Sequence, residues 1–284
     1  MANLVGWRAA FLLEALAMVP FIVFHFTSDV QLRRGNEELE GDEQRTKTLG
    51  AIIVQAWNDV KDLCRYPLFL FTTLGMTCYT AVIGSYAFYG PQAGKDAFHV
   101  EPKAADMLFG GITVITGILG TLGGGIALDR MGSSMRNAAT ICSGSMLLGA
   151  VVIMLAFLTA PSFGVFALIF SMGEFLLFVT QAPGNALILW SVPPRQRALA
   201  ISLSVVSMHL FGDVPMPPLL GLLQGHLSNW RVTMSIAAVV IIVGGFFYGA
   251  ATRAAQHAVD YRYDTNCEDE HDGEGAPLRA ASVD

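Results

Sequence analysis

Charge is scarce in this chain. Only 14% of its 284 residues are Asp, Glu, Lys or Arg, against about 25% in an ordinary soluble domain, while 53% are hydrophobic and the mean hydropathy is +0.51. That shortage argues against a water-soluble globule and points to lipid as the solvent. Cysteine is sparse as well: Cys64, Cys78, Cys142 and Cys267 form no close pair and no metal-like spacing. Neither a disulfide framework nor a metal site is therefore expected. A nucleophile elbow, a His-Glu zinc motif and a loop-borne pair of catalytic carboxylates are all missing, so the chain is not expected to be an enzyme, and no catalytic residue or cofactor is assigned. The N-terminus lacks the basic cluster of a signal peptide, Glu14 sits inside the first apolar run, and no small-residue cleavage site precedes a soluble domain. Nucleic acid is not an expected partner; the lipid bilayer is.

What the chain has is long apolar runs. Crossing about 30 Å of hydrocarbon takes about 20 residues of helix, and runs near that length fall at 9–26, 68–88, 106–127, 138–159, 164–188, 198–223 and 231–252. The expected fold class is an all-α membrane protein with seven transmembrane helices. Of the 17 Lys and Arg residues, Arg8, Lys95, Lys103 and Arg231 lie on one side with the N-terminus, and the other 13 (17 less 4) lie on the opposite side. The positive-inside rule then places the C-terminus in the cytosol, which an odd number of spans requires.

The domain organisation follows. Residues 1–26 hold the first helix, and 27–67 form a cytosolic linker. Within it Leu49, Ile52, Ile53, Ala56, Trp57, Val60 and Leu63 share one face of an amphipathic helix over 49–63. Such a helix lies along the inner membrane surface, with Trp57 at headgroup level, or packs on the bundle from the cytosol. Residues 68–252 form a six-helix bundle. From 253 to 284 runs an acidic tail containing "DTNCEDEHDGEG", expected to be solvated and disordered. One internal repeat stands out: "GWRAAFLLEALAMV" at 6–19 and "NWRVTMSIAAVVII" at 229–242 both open a span with Trp-Arg on the outer side. An offset of six helices is what duplicated six-helix halves produce.

Polar residues inside hydrocarbon are the best guide to a site, since a charge at mid-bilayer costs about 2.5–3.5 kcal/mol on insertion scales. Glu174, Gln181 and Asn185 stand at i, i+7 and i+11, within about 40° of arc on an ideal helix. His209 and Asp213 stand at i and i+4, close enough to interact. A carboxylate beside an imidazole makes a pair able to load and release a proton; a hydrogen-bonded structural pair locking two helices has the same signature. Pro183, Pro215, Pro217 and Pro218 remove backbone donors and bend their helices, which is tolerated at membrane depth where the backbone is buried or lines a cavity. Glu14 in the first span fits a structural partner better than a coupling role.

The third run ends "GILGTLGGGIALDRMGSSMR" (117–136). No strand precedes it and no ribose-binding acid follows, so it is not a dinucleotide loop. Glycines at 120 and 124, and at 245 and 249 in the last span, permit close helix contact. Gly125, Asp129, Arg130 and Gly132 give G-x-x-x-D-R-x-G at a cytosolic turn, which closely resembles the loop motif of the major facilitator superfamily. Seven spans with Asp-Arg at the inner end of the third also describe a G-protein-coupled receptor. Gly132, the glycine cluster, the missing outer cysteine pair and the lack of Asn-Pro-x-x-Tyr in the seventh span count against that.

Residues 178–231, from "FVTQAPGN" through "HLFGDVP" to "NWR", resemble the tenth to twelfth helices of spinster-type transporters, a major facilitator branch associated with sphingolipids and lysolipids. The start, "GWRAAFLLEALAMVPF", is similar to that family's sixth helix. The resemblance implies the C-terminal six-helix bundle of a major facilitator fold plus the last helix of the N-terminal half, with the first five helices lacking. It also implies a secondary carrier of amphiphilic lipid, with proton coupling as an option, in a late endosomal or lysosomal membrane or, alternatively, the plasma membrane. Glu174, Gln181, Asn185, His209 and Asp213 would then line the substrate or proton pathway, and Asp129 and Arg130 would latch one conformation. A half-transporter would need a homodimer or a separate N-terminal half to alternate access. The alternative function is a non-transporting half that binds lipid or regulates a full-length relative. The charge asymmetry predicts that an impermeant thiol reagent applied from the cytosol labels Cys267 but not a cysteine placed at Lys103→Cys; the reverse pattern would invert the topology.

Overall fold

The spans begin and end where local chemistry supplies the stops. Pro67 and Pro102 occupy the first helical position of their helices, where the missing N–H goes unneeded. Ser134 accepts from the Asn137 amide at 3.1 Å, and Asn229 accepts from those of Arg231 and Val232, so these helix starts carry side-chain caps. The computed structural model describes residues 7–27 and 49–262. The chain divides into two units, Met1–Ala56 and Trp57–Asp284. Residues 28–48 of the linker expected over 27–67, and the tail beyond 262 with Cys267, lie outside the described residues.

Helix α1 is Trp7–Thr27, 21 residues containing Pro20, and within it Leu12–Phe24 forms a shorter apolar helix. Helix α2 is Leu49–Leu63, with Leu63 fully buried and Trp57 60% exposed. The second unit continues with α3 (Pro67–Phe98), α4 (Pro102–Arg130), α5 (Met135–Thr159), α6 (Phe163–Phe178), α7 (Gln181–Trp190), α8 (Arg197–Ser207), α9 (Met216–Leu227) and α10 (Trp230–Ala254). Helices α6 and α7 form one broken span, Phe163–Trp190, and α8 and α9 another, Pro194–Leu227. Among the described residues six helices are thus long and apolar enough to cross a membrane, at the positions of the last six expected runs. No strand occurs among the described residues.

Helices α3, α5 and α10 make the centre of the bundle, where Met146, Ile153, Ile241 and Tyr248 are fully buried. One end is aromatic. Phe98, Phe109, Phe157, Phe163, Phe166 and Phe170, from the end of α3, the start of α4, the end of α5 and the start of α6, pack with centroid separations of 4.9–6.3 Å. Arg231, at the start of α10, lies 4.4 Å over the Phe98 ring and donates to the carbonyls of Ala160 and Ala97.

Both expected proline sites coincide with breaks. In the fifth run the helix stops at Phe178 and restarts at Gln181, so Pro183 falls in the first turn of α7, where its missing donor leaves the Val179 carbonyl without its helical partner. That carbonyl points at α4: a Cβ on Gly124 would lie 2.1 Å from it, and one on Gly120 would lie 2.8 Å from the Phe175 carbonyl. The close contact expected of these two glycines is present. A Cβ on Gly245 would press on a side chain, 2.7 Å from that of Leu147, whereas one on Gly249 would have ordinary room, with Ser143 Oγ at 3.5 Å. In the sixth run Met208–Asp213 forms a π-helical turn closed by the Val214 amide on the His209 carbonyl. Pro217 and Pro218 then fall in the first turn of α9, directly after Pro215 as its N-cap.

A Gly124→Ala substitution has to displace backbone rather than a flexible side chain. It should destabilise the fold by about 1–3 kcal/mol, the usual penalty of overpacking, and lower the melting temperature in detergent. Gly144→Ala, with nothing within 4 Å of the new methyl, should leave it unchanged. Equal melting temperatures for the two variants would show that α4 does not pack on this break.

Candidate functional site

The fifth-run polar residues are distributed by the break. Glu174, near the end of α6, is 2% exposed and turns toward α4. Thr113 Oγ1 donates to its Oε1 at 3.1 Å, and Thr116 Oγ1 approaches its Oε2 at 3.2 Å while also 2.7 Å from the Ile112 carbonyl. Among the described residues no cation pairs with this carboxyl. Gln181 is half-buried at the first position of α7; Asn185 is exposed, with its Nδ2 donating to the Gln181 carbonyl at 2.9 Å. The three residues therefore do not share one uninterrupted helical stripe, because the break at Val179–Thr180 interrupts the 100° advance per residue that the arc assumes.

His209 and Asp213 are brought together: Nδ1 and Oδ2 lie 2.7 Å apart, with the side chains 63% and 30% exposed. The π-helical turn holds both, and such turns recur at functional sites. Its Gly212 rests against α3, where a Cβ would lie 2.8 Å from the Thr77 carbonyl. Asp213 leans on the same helix, with Oδ1 2.8 Å from where a Gly84 Cβ would stand. That oxygen is buried and has no hydrogen-bond partner. An unpaired acceptor of this kind carries a desolvation penalty of about 1–3 kcal/mol, more when charged, unless a proton or an incoming donor satisfies it. Glu174 and Asp213 thus sit at two separate interfaces, α4–α6 and α3–π turn.

At the other end of α4, Ser133 N donates to the Leu128 carbonyl and Gly132 N to that of Asp129, the paired bonds of a Schellman cap. Gly132 takes φ 93°, a left-handed conformation that glycine adopts without strain. Asp129 Oδ1 accepts from Ser133 Oγ at 3.0 Å, and Asn137 Nδ2 donates to the Met131 carbonyl. Arg130 is exposed and has no hydrogen bond or ion pair among the described residues. Gly125 faces the Ala182 methyl of α7 at 3.8 Å.

This helix, turn and helix fall inside a match to the family model "Major Facilitator Superfamily", which spans residues 1–183. The chain belongs to the major facilitator superfamily. A second model, "Organic Anion Transporter Polypeptide (OATP) family", matches residues 160–226. Among curated relatives the chain is 38% identical over 244 residues to "Probable sphingolipid transporter spinster homolog 2" of Arabidopsis thaliana, covering 84% of this chain and 50% of that protein. It is 30% identical to "Protein spinster homolog 1" of Xenopus tropicalis, over 77% of this chain and 45% of that one. The spinster resemblance is thus shown, although the chain spans about half the length of these relatives. Its fold matches the crystal structure of a bacterial homologue of the human lysosomal transporter spinster, inward-facing and unoccupied. The TM-score is 0.60 at 15% identity, over 72% of this chain and 50% of that one.

In this major facilitator chain the residues following α10 are folded back onto the end of the bundle that carries the Asp129–Arg130 turn. Residues 255–262 form a strap. Tyr261 N donates to the Trp190 carbonyl at 3.4 Å, and Arg197 Nη2 donates to the Tyr261 carbonyl at 2.9 Å. Arg262 lies 4.0 Å over the Trp190 ring and donates to the Ser133 carbonyl. Sequence reasoning missed this strap, and it missed Thr113, Thr116 and Gly84 because none of these three is charged or unusual in its run.

Hydrogen bonds from Arg262, at 2.9 Å from Nε to Oδ1, hold the Asp260 carboxyl below its ordinary range. A depressed carboxyl contributes stability above its unfolded value, and that contribution is lost as pH falls through the lowered one. The Trp190 component of emission, isolated by difference against Trp190→Phe, should therefore hold constant from neutrality down to about pH 4, the ordinary Asp range, and change only below it. A change centred above pH 5 would mean that the strap does not depend on this pair.

Proposed function

We propose that this chain supplies the C-terminal half of a spinster-type secondary transporter that moves sphingolipid or lysolipid amphiphiles across an endomembrane of the late endosome or lysosome, with protons as the coupling ion. The observation that carries this reading is the buried, unpartnered Oδ1 of Asp213, held at membrane depth in a π-helical turn beside His209. A carboxylate with one oxygen engaged by His209 and the other buried and unpaired is arranged to take up a proton without rearranging the helix. Glu174, whose hydrogen-bond partners among the described residues are the Thr113 and Thr116 hydroxyls, is a second protonatable group, and Gln181 and Asn185 extend the polar path past the fifth-span break. Asp129 and Arg130 would latch one conformation, since the exposed Arg130 is available to an acidic or carbonyl partner. The relatives named for sphingolipid transport support the substrate class, and a partner half, supplied by more of the same protein or by a second copy, would complete the cavity.

The test is flux of labelled lysolipid through a transport-competent protein carrying this half. Asp213→Asn should cut flux about tenfold, the order expected from losing one charge-assisted contact, and Glu174→Gln should flatten its pH dependence. Unchanged flux and unchanged pH response in both variants would remove these residues from the pathway. Flux by this chain alone, above empty vesicles, would point to a self-associating half.

A further inference from the structure

The chain carries a cavity whose lining includes none of the polar residues singled out in the fifth and sixth runs. It has a volume of about 590 Å³ and lies between the start of α3, the end of α10 and the strap, within the range of about 300–1,000 Å³ typical of ligand sites. Its walls are apolar: Leu68 and Phe71 of α3, Ala250 and Ala254 of α10, and Ala258 and Val259 of the strap. Val259 is 60% exposed, so an apolar side chain stands open at the mouth. Arg253 at the end of α10 and His257 of the strap also contribute to the lining, which contains no acid. Both are exposed and neither has an ion-pair partner among the described residues. The acids that flank the lining in sequence are already engaged, Asp62 with Arg65 at 3.0 Å and Asp260 with Arg262. Tyr66 and Tyr261, packed edge to face at 6.2 Å, close one wall, as aromatic side chains do at the level of lipid headgroups.

A greasy slot opening at the ends of two spans, with two unopposed basic side chains at its rim, matches one chemistry: an acyl chain joined to an anionic head. We propose that this cavity binds an anionic glycerophospholipid from the surrounding membrane leaflet, its acyl chain between α3 and α10 and its phosphate held by Arg253 and His257. Guanidinium and imidazole N–H groups donate to phosphate oxygens, and basic pockets between spans are suited to such heads. Because Ala258 and Val259 belong to the strap, an occupied slot also braces the segment that touches Trp190 and Ser133. The site is independent of the transport reading, since it shares no residue with the proposed pathway.

The test uses the full 284-residue chain in phosphatidylcholine nanodiscs doped with a photoactivatable phosphatidic acid. Labelling should map to peptides containing Phe71 and Ala258, and unlabelled phosphatidic acid should compete it away while glycerol 3-phosphate does not. Arg253→Gln combined with His257→Gln should reduce it about tenfold, as expected from the loss of the guanidinium contact and an imidazole hydrogen bond. Ala258→Phe, which fills the slot and keeps Arg253 and His257, should reduce it as well; if that variant does not fold, the double variant decides alone. Labelling that survives these changes, or that a photoactivatable phosphatidylcholine reproduces equally, would overturn the proposal in favour of annular lipid. Competition by glycerol 3-phosphate would overturn it in favour of a free-phosphate site.

Discussion

Inside hydrocarbon a backbone amide or carbonyl has no water to turn to, and the rest of this structure follows from how that constraint is met. Two of the six spans are broken, and each break is pressed against an intact neighbour at a glycine. The carbonyl of Val179 rests on Gly124 of α4, and the π-helical turn of 208–213 lays Gly212 on the α3 backbone at Thr77 and Ala81. The glycines let irregular backbone be covered by protein rather than lipid. A methyl group at either contact would force the two helices apart and expose what the contact covers.

The polar side chains follow from the same packing. Glu174 is one turn before the first break and is received by threonine hydroxyls on the helix that also seals that break. Asp213 closes the second break and leans on α3 beside Gly84, where the absent side chain leaves room for a carboxylate oxygen. The elements that tolerate helix breaks are thus those that carry ionisable groups, and the pairing is physical: a break needs a close neighbour, and a close neighbour shields a carboxyl from lipid. Chemistry and irregularity share the same two interfaces.

Much of this was legible in the chain itself. Six of the seven apolar runs and the two breaks follow from hydropathy and proline placement, and the contact of His209 with Asp213 follows from their separation by four residues. The polar stripe from Glu174 to Asn185 was only half legible, since an arc computed on a continuous helix says nothing once Val179–Thr180 interrupts it. What was not legible depends on which helices meet. Thr113 and Thr116 look like ordinary polar positions in a span until α6 places Glu174 beside them, and Gly84 is one glycine among 29 until Asp213 arrives. The strap was hidden for a different reason: its grip comes from backbone carbonyls, which every sequence has.

The aromatic end of the bundle has a mechanical consequence. Six phenylalanines drawn from four helices interlock at ring contact, and Arg231 ties the start of α10 to the same cluster. Stacked rings resist shear, because sliding one helix past another means lifting rings out of register. The opposite end is joined by glycine contacts, a glycine-capped turn and a strap held at a few points. The half-bundle is therefore unlike at its two ends, ring-locked at one and held at the other, where α4 turns into α5, by a capped turn and a strap.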